Sequence, residues 1–307
     1  MRIDVEDRDN PETIRLKKYA SGAHLLLEID PVETGTTTRE VVWTKNKAKL
    51  YRYEPEKPKK YPVPILIVYA LINRPYVLDY QPRMVSKVLR ASGSEEVSLF
   101  GYCQGGTIAA MYAALFPEGP LRNLVLLASP VRFTPENGGI FKPFFDPDPV
   151  IEAFGNVPAT ELLGTGRRLP GTADRPENET SRLPREAFTD SFLAASAWVD
   201  DGVPFPGEAF RSWVFDFYRH DRLARGELKL RGLRVDLSKV RAPLLNVAGR
   251  EDLVCTFPQA EAAMDLVGSE DKELLPLDAG HVGLMAGPVA KREFWPHLAR
   301  WLGRRSA

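Results

Sequence analysis

Short apolar segments alternate with helical patterns along most of the chain. Residues 62–70 form a continuous apolar run, which is typical of a parallel strand buried on both faces. Four later segments have the same character, at residues 97–100, 124–128, 244–248 and 273–277. Because helical patterns lie between these segments, the sequence predicts an α/β fold with a mostly parallel sheet that helices cover on both faces.

The first part of the chain has a different pattern. Apolar positions within residues 12–29 indicate a helix, and residues 1–40 are interpreted as an N-terminal helical segment. Residues 41–43 and 50–53 lie on either side of a polar turn and predict an antiparallel pair of strands.

A long segment of different texture separates the strands at residues 124–128 and 244–248. We interpret residues 131–235 as a cap subdomain inserted into a core of residues 41–130 and 236–307. Two cap helices are predicted after a stretch rich in proline, glycine and phenylalanine.

These cap helices lie near residues 186–200 and 207–222, and a polar, turn-forming stretch at 164–186 is interpreted as a mobile loop. The second helix carries an aromatic stripe, which is interpreted as packing against the sheet and not as a ligand site. The stripe consists of Phe210, Trp213, Val214, Phe217 and Tyr218.

The motif that carries chemistry is the turn Gly101-Tyr-Cys103-Gln-Gly105-Gly, between a strand and an alanine-rich helical pattern. This arrangement is a nucleophile elbow with cysteine as the nucleophile, and its glycines permit close packing of helix against strand. With two cysteines and 23 glycines, chance would supply roughly 0.01 such matches. The helix N-terminus favours a thiolate at Cys103. A buried structural cysteine in a tight turn is the alternative.

A cysteine nucleophile needs a base, and the base needs an acid that orients it. His281 follows the strand at 273–277 in a loop of small residues, at the strand end where ligands bind in open α/β sheets. Asp252 has the same place after the strand at 244–248. The order Cys103, Asp252, His281 is the nucleophile, acid, base order of the α/β-hydrolase fold.

Other residues of the same types remain as alternatives. Glu251 could replace Asp252 as the acid, and Asp278 is a weaker choice because it precedes the histidine on the same loop. Cys255 is either a second reactive thiol or, as we favour, a small buried packing residue. The remaining histidines are interpreted as surface or packing residues, namely His24, His220 and His297.

Composition restricts the function classes. The 41 basic residues balance 41 acidic ones, so nothing favours nucleic-acid binding. No apolar run approaches the about 20 residues that span a bilayer, and the chain start lacks the apolar segment of a signal peptide. Two cysteines form no disulfide framework, so we expect a soluble protein of the cytoplasm. Because phosphate-binding, dinucleotide and metal-ligand motifs are absent from the sequence, no metal or other cofactor is expected.

Several segments resemble the catalytic subunit of polyhydroxyalkanoate synthases, in the short form that works with a second subunit. They are residues 65–76, the box Gly101-Tyr-Cys103-Gln-Gly-Gly, residues 243–252 and residues 280–284, with further similarity at 38–53 and 206–210. The resemblance therefore covers nearly the whole chain. It implies an α/β-hydrolase fold with a cap, in which Cys103 carries the acyl group, His281 is the general base and Asp252 is the partner of that base.

The implied reaction takes (R)-3-hydroxyacyl-CoA, with 3-hydroxybutyryl-CoA as the expected substrate, releases coenzyme A and extends a polyester. The implied partners are a second synthase subunit, a second copy of the chain and the surface of a polyester granule. The residues suit this chemistry, because a thiolate attacks a thioester readily and the acyl-enzyme is still a reactive thioester. The backbone N–H of Gln104 and a second N–H near Leu71 are expected to bind the oxyanion.

The sequence departs from the family pattern in two places. Family members carry a further strand and helix before the nucleophile strand, but only residues 78–96 are available here. This span fits one helix, expected within residues 80–93, and no extra strand. We therefore expect one strand–helix unit to be missing and the strands at 65–70 and 97–100 to be neighbours. The second departure is 164–186, where relatives have a more apolar cap sequence.

Two structural expectations follow from the shortened region. The buried face of its helix should consist of Met84, Val85, Val88 and Leu89. The outer edge of the strand at 65–70 should be either covered by residues 50–53 or open.

Two other functions remain compatible with the same residues. One is a cysteine-dependent hydrolase or thioesterase of similar fold. The other is an inactive, truncated synthase paralogue that acts as a binding subunit.

Overall fold

The computed structural model describes residues 37–45, 48–55, 57–58, 60–69, 77–134, 139, 146–157 and 204–306. Three predicted segments lie outside the described residues: the helix at 12–29, the loop at 164–186 and the helix near 186–200.

The described strands are β1 (Arg39–Lys45), β2 (Ala48–Tyr53), β3 (Ile65–Val68), β4 (Val97–Tyr102), β5 (Leu121–Leu127), β6 (Lys229–Leu230), β7 (Leu233–Arg234), β8 (Leu244–Gly249) and β9 (Lys272–Leu277). The described α-helices are α1 (Val77–Ser92), α2 (Gln104–Leu115), α3 (Asp148–Phe154), α4 (Gly207–Trp213), α5 (Phe257–Glu261), α6 (Ala263–Leu266), α7 (Gly283–Ala286) and α8 (Trp295–Arg305). Short π-helical segments at Val214–Arg219 and Ala290–Phe294 follow α4 and precede α8, and a 3₁₀ turn spans Leu237–Lys239.

Within the described residues, five parallel strands form the central sheet in the order β3-β4-β5-β8-β9. All five were predicted as apolar segments. Every residue of β4 and β8 is buried, as expected for parallel strands that are covered on both faces. Because the strands are parallel, the carboxyl ends of β4, β8 and β9 lie along one edge of the sheet. Cys103, Asp252 and His281 follow these strand ends.

Each face of the sheet has its own hydrophobic core. On one face, Leu66, Leu99 and Leu124 belong to a buried cluster with residues of α1 and α2. Alanines at positions 109, 110, 113 and 114 let α2 pack closely within this layer. On the other face, Phe100 and Val125 belong to a cluster with residues of α8, including the fully buried Trp301.

The shortened crossover has the structure that the sequence predicts. β3 and β4 are adjacent and parallel, with Ile65 opposite Ser98, and α1 is the only element in the described part of the connection, residues 77–96. Val85 is buried in the core, and Met84, Val88 and Leu89 pack against the same cluster. The prediction of one helix with this buried face is confirmed.

The hairpin of β1 and β2 forms a separate two-stranded sheet. The alternative in which residues 50–53 pair with the outer edge of β3 is therefore wrong. The hairpin instead contributes Leu50 to the buried cluster that also contains Leu66. In the described residues, β4 is the only strand that pairs with β3.

The described part of the predicted cap packs in two ways. Backbone N–H groups of Val157 and Phe205 donate to each other's carbonyls at 2.7 Å, and both side chains belong to a small cluster with Phe210 and Val214. Tyr218 instead belongs to the main core cluster. The predicted packing of the aromatic stripe against the sheet is wrong for Phe210, which belongs to this separate small cluster, whereas the Tyr218 ring contacts Phe133 and Trp213.

No helix in the described part of the chain is long and apolar enough to cross a membrane.

Candidate active site

Cys103 occupies a strained turn between β4 and α2. Its backbone has φ 55° and ψ −128°, in the left-handed half of conformational space that non-glycine residues rarely adopt. The Cys103 N–H donates to the carbonyl of Leu127 at 2.9 Å, which anchors the turn to β5. The thiol is partly exposed, as a nucleophile must be.

The two elbow glycines are required by close approach of the backbone. A Cβ atom at Gly101 would lie 2.2 Å from the Cα of Gly106, and one at Gly105 would lie 2.1 Å from the carbonyl oxygen of Val68. Both contacts are with backbone atoms, which cannot move without shifting a strand or helix. The steric interpretation of the Gly-x-Cys-x-Gly motif is confirmed.

The backbone beside the thiol offers a donor for an anion. Gln104 is the first residue of α2, so its N–H has no acceptor within the helix. The helix dipole places partial positive charge at this end. Leu71, the expected source of a second N–H, lies outside the described residues.

His281 meets both of its expected neighbours. Its Nδ1 lies 2.7 Å from Oδ2 of Asp252, and its side chain is within hydrogen-bonding reach of the Cys103 side chain. Because a carboxylate only accepts, Nδ1 carries the proton, and Nε2 is left to exchange a proton with the thiol. The structure thus brings Cys103, His281 and Asp252 together.

Asp252 is fixed by its own turn. Its Oδ1 accepts from the N–H groups of Val254 at 2.8 Å and Cys255 at 2.9 Å, which leaves Oδ2 for the histidine. The Asp252 side chain is completely buried. Such a carboxylate has few alternative conformations, so it favours one tautomer of the imidazole and fixes the position of Nδ1.

The alternative acids are placed elsewhere. The Asp278 carboxylate is 80% exposed and pairs with Arg250 at 3.3 Å. Glu251 is exposed, whereas Asp252 is the residue whose carboxylate contacts His281. Of the other histidines, His297 pairs with Glu273 at 2.7 Å, His220 lies exposed beside the Phe215 ring, and His24 lies outside the described residues.

The electrostatics of His281 favour its charged form. Burial lowers its pKa, but the charge of Cys103 and the hydrogen bond to Asp252 together outweigh burial and raise the pKa of His281 to about 10. The geometry therefore suits proton exchange between Cys103 and His281, with Asp252 stabilising the charged imidazole.

Cys255 is not equivalent to Cys103. Its side chain is 1% exposed and packs with Ala248 and Ala260. Burial first, and then the charges of Asp252 and Cys103, raise the pKa of the Cys255 thiol well above its ordinary value. A buried neutral thiol is a poor nucleophile, so the interpretation as a packing residue is favoured.

Three tyrosines interact electrostatically with Cys103, and none of them was predicted from the sequence as part of the site. The Tyr69 and Tyr102 rings lie 5.4 Å apart, and the Tyr102 ring lies 5.1 Å from that of His281. Burial and the charge of Cys103 raise the pKa of each phenol, including that of Tyr218. The sequence carries a positional signal for two of them, since Tyr69 is the penultimate residue of the predicted strand at 62–70 and Tyr102 directly precedes the nucleophile.

The described residues include no cluster of three or more His, Cys, Asp or Glu side chains that could hold a metal ion.

Comparison with solved structures agrees with this topology. The monoacylglycerol lipase of Paleococcus ferrophilus superposes with a TM-score of 0.50 at 15% identity, over 79% of this chain and 95% of the lipase. MenH from S. aureus gives a TM-score of 0.51 at 14% identity, over 82% of this chain and 98% of MenH. At these identities the likeness concerns the fold alone.

Comparison of sequences is more specific. Residues 54–288 match the α/β-hydrolase fold family. The poly(3-hydroxyalkanoate) polymerase subunit PhaC of Haloferax mediterranei is 33% identical over 99% of this chain and 72% of the relative. PhaC of Allochromatium vinosum is 30% identical over 94% of this chain and 95% of the relative.

One of these relatives is longer than this chain over the aligned region. The alignment with the Haloferax protein extends over 358 positions, which is more than the 307 residues of this chain. The relative therefore carries residues that have no counterpart here.

The fold, the family match and the two relatives agree: the chain belongs to the PhaC family of poly(3-hydroxyalkanoate) polymerase subunits and has the α/β-hydrolase fold.

Proposed function

We propose that this protein is an acyltransferase that polymerises (R)-3-hydroxyacyl-CoA, with 3-hydroxybutyryl-CoA as a substrate, through a covalent acyl group on Cys103. The observation that carries the proposal is the contact of Cys103, at the elbow, with a histidine that Asp252 orients. Relatives of this chain are named poly(3-hydroxyalkanoate) polymerase subunits, and these names support a polyester of 3-hydroxyacyl units as the proposed product.

In the first step, the Cys103 thiolate attacks the thioester carbonyl of the substrate. The backbone N–H of Gln104, with a second N–H proposed near Leu71, binds the oxyanion that forms. The bond from the carbonyl carbon to the sulfur of coenzyme A then breaks, and His281 gives its proton to that departing sulfur. The product is an acyl thioester on Cys103, which conserves the reactivity of the substrate.

In the second step, the neutral His281 takes the proton of an incoming 3-hydroxyl group. That oxygen, on a second 3-hydroxyacyl-CoA, attacks the Cys103 thioester, an ester bond forms, and the bond to the Cys103 sulfur breaks. The Cys103 thiolate then attacks the thioester of the extended acyl-CoA as in the first step, which returns the longer chain to Cys103 and releases coenzyme A. Asp252 stabilises the imidazolium in both steps without touching the substrate. Cysteine suits this exchange, because a thioester transfers its acyl group to a hydroxyl more readily than an ester does.

Exclusion of water decides whether the acyl group is polymerised or hydrolysed. Burial first, and then the electrostatic interaction with Cys103, raise the pKa of Tyr218, which lies in the segment that follows α4. The predicted cap subdomain at 131–235 contains this segment, and we propose that it covers the acyl-enzyme and restricts bulk water. The same cap is the proposed element for partner docking.

The relatives are named as subunits, and we propose that this chain also works with a second synthase subunit or as a homodimer. The proposed product is insoluble, so the proposed site of action is the surface of a polyester granule in the cytoplasm.

The test is incubation of the purified protein with 3-hydroxybutyryl-CoA, with and without a candidate second subunit. Free thiol reports release of coenzyme A, and turbidity with product analysis reports polymer. Coenzyme A release with polymer supports the proposal. Release of free 3-hydroxybutyrate would indicate a cysteine hydrolase, and absence of Cys103 labelling by an acyl analogue would indicate an inactive binding subunit.

A further inference from the structure

Tyr102 lies between the nucleophile and the histidine loop. It is the last residue of β4, directly before Cys103, and its side chain is 1% exposed. Its phenol O–H donates to the backbone carbonyl of His281, with 3.3 Å between the two oxygens. One side chain therefore connects the backbone that presents the thiol to the backbone that presents the base.

The ring of Tyr102 makes a second contact with the same histidine. Its centroid lies 5.1 Å from the centroid of the imidazole, at an interplanar angle of 35°. Asp252 fixes the Nδ1 atom of that imidazole, but a single hydrogen bond leaves the ring free to tilt about it. The Tyr102 ring restricts this tilt from one side.

We propose that Tyr102 is a positioning residue for His281, whose hydroxyl fixes the main chain of the histidine and whose ring fixes the plane of the imidazole. The role rests on the proposed function of Cys103 and His281, and Tyr102 acts through His281 without contact with reacting atoms. Loss of the hydroxyl lets the histidine loop relax away from β4. The mean separation of imidazolium and thiolate then increases, and their mutual stabilisation weakens.

The phenol remains a donor throughout the working pH range. Burial, followed by the charge of Cys103, raises the pKa of Tyr102 far above its ordinary value. Other titratable groups also face Cys103 and contribute to any pH profile measured there. They are His281, Asp252, Cys255, Tyr69 and Tyr218.

The experiment compares the full-length protein with its Tyr102→Phe variant in alkylation of Cys103 by iodoacetamide, followed by peptide mapping, at pH 6 and pH 9. A thiol ionises at pH 6 only with help from nearby positive charge, such as an imidazolium or a helix N-terminus, whereas at pH 9 most ordinary thiols are already ionised. We expect the rate at pH 6 to fall about three- to tenfold, the effect of one hydrogen bond, and the rate at pH 9 to stay unchanged. The kcat for coenzyme A release should fall by a similar factor with KM unchanged.

Tyr112→Phe is the matched control. Tyr112 is also a buried tyrosine, 4% exposed, and lies on α2 beside Phe116. The Tyr112→Phe variant should leave the ratio of the alkylation rate at pH 6 to the rate at pH 9 unchanged. Tyr102→Leu, which removes both the hydroxyl and the ring contact, should lower that ratio more than Tyr102→Phe does.

Two results would overturn the proposal: a wild-type ratio of rates in Tyr102→Phe, or an equal loss in Tyr112→Phe. A purely structural role would lower the melting temperature of Tyr102→Phe and leave the ratio unchanged. If Tyr102→Leu does not fold, the two phenylalanine variants still decide the question. Failure of the wild-type protein to make polymer would refute the proposed function and leave this comparison intact.

Discussion

Asp252→Asn tests the orientation of the base most sharply. The two hydrogen bonds to Oδ1, from Val254 and Cys255, remain available to asparagine, so the turn should be retained. The amide nitrogen would then face Nδ1 of His281, where the carboxylate now accepts at 2.7 Å. Two donors cannot face each other, so the histidine proton moves to Nε2, and the ring can no longer take a proton from the thiol.

The magnitude follows from the lost contact. A hydrogen bond to a charged group contributes about 1.5 to 3 kcal/mol, which corresponds to about ten- to a hundredfold in rate. Loss of the correct tautomer adds to this, so we expect kcat/KM for coenzyme A release to fall about a hundredfold or more. Some activity should remain, because asparagine leaves the nucleophile in place.

The assay is a steady-state measurement of coenzyme A release from 3-hydroxybutyryl-CoA. Glu251→Gln and Asp278→Asn are the matched controls, since each removes a neighbouring carboxylate. Both should stay within about twofold of wild type, as expected for exposed charges. If either control costs more activity than Asp252→Asn, the assignment of Asp252 is refuted.

Three further outcomes are expected. Cys103→Ala should abolish acyl transfer with the fold intact, and coenzyme A release above background in this variant would contradict the triad. His281→Gln should lower activity nearly as much, because both steps need a base. Gly105→Ala should lower the free energy of unfolding by about 2 kcal/mol or more, because the added Cβ would lie 2.1 Å from the carbonyl oxygen of Val68. Gly280→Ala is the control and should change stability little, because the nearest atom to its added Cβ lies at 3.6 Å. Equal melting temperatures of the two variants would contradict this prediction. The pKa of His281 is raised to about 10 in the folded protein, so the charged histidine stabilises the fold fully below about pH 6.5 and loses this contribution as pH rises through about 10. Chemical denaturation should therefore show a larger fall in the free energy of unfolding between about pH 6.5 and about pH 10 in the wild type than in His281→Gln.

The central sheet could be predicted because its strands are continuous apolar runs. β4 and β8 are buried at every position. A short, continuously apolar sequence of this kind is typical of a parallel strand that is covered on both faces. α1 could be predicted for a similar reason: Val85 and its neighbours have helical spacing, and the connection between β3 and β4 fits one helix. Asp252 and His281 follow strands whose carboxyl ends meet at one edge, so their proximity to Cys103 could be inferred from order alone.

The contacts of Tyr102 could not be predicted in this way. Its partner His281 is 179 positions away, and the hydrogen bond depends on how one loop carbonyl is oriented. The placement of the β1–β2 hairpin was equally open, because its pattern predicts strands but does not specify which edge they join. The π-helical segment at Val214–Arg219 follows Phe210 and contains Tyr218. Its wider turn places the two side chains on different faces from those that a regular α-helical period of about 3.6 residues predicts.

The most direct test of the proposed function is mass spectrometry of the Cys103 peptide after brief incubation of the purified protein with 3-hydroxybutyryl-CoA. Covalent polymerisation on this thiol predicts a series of adducts on Cys103 that differ by one 3-hydroxybutyryl unit, together with an equivalent release of coenzyme A. The His281→Gln variant should show no such series. Release of free 3-hydroxybutyrate with no adduct series on Cys103, or the same series on Cys255, would contradict the proposal.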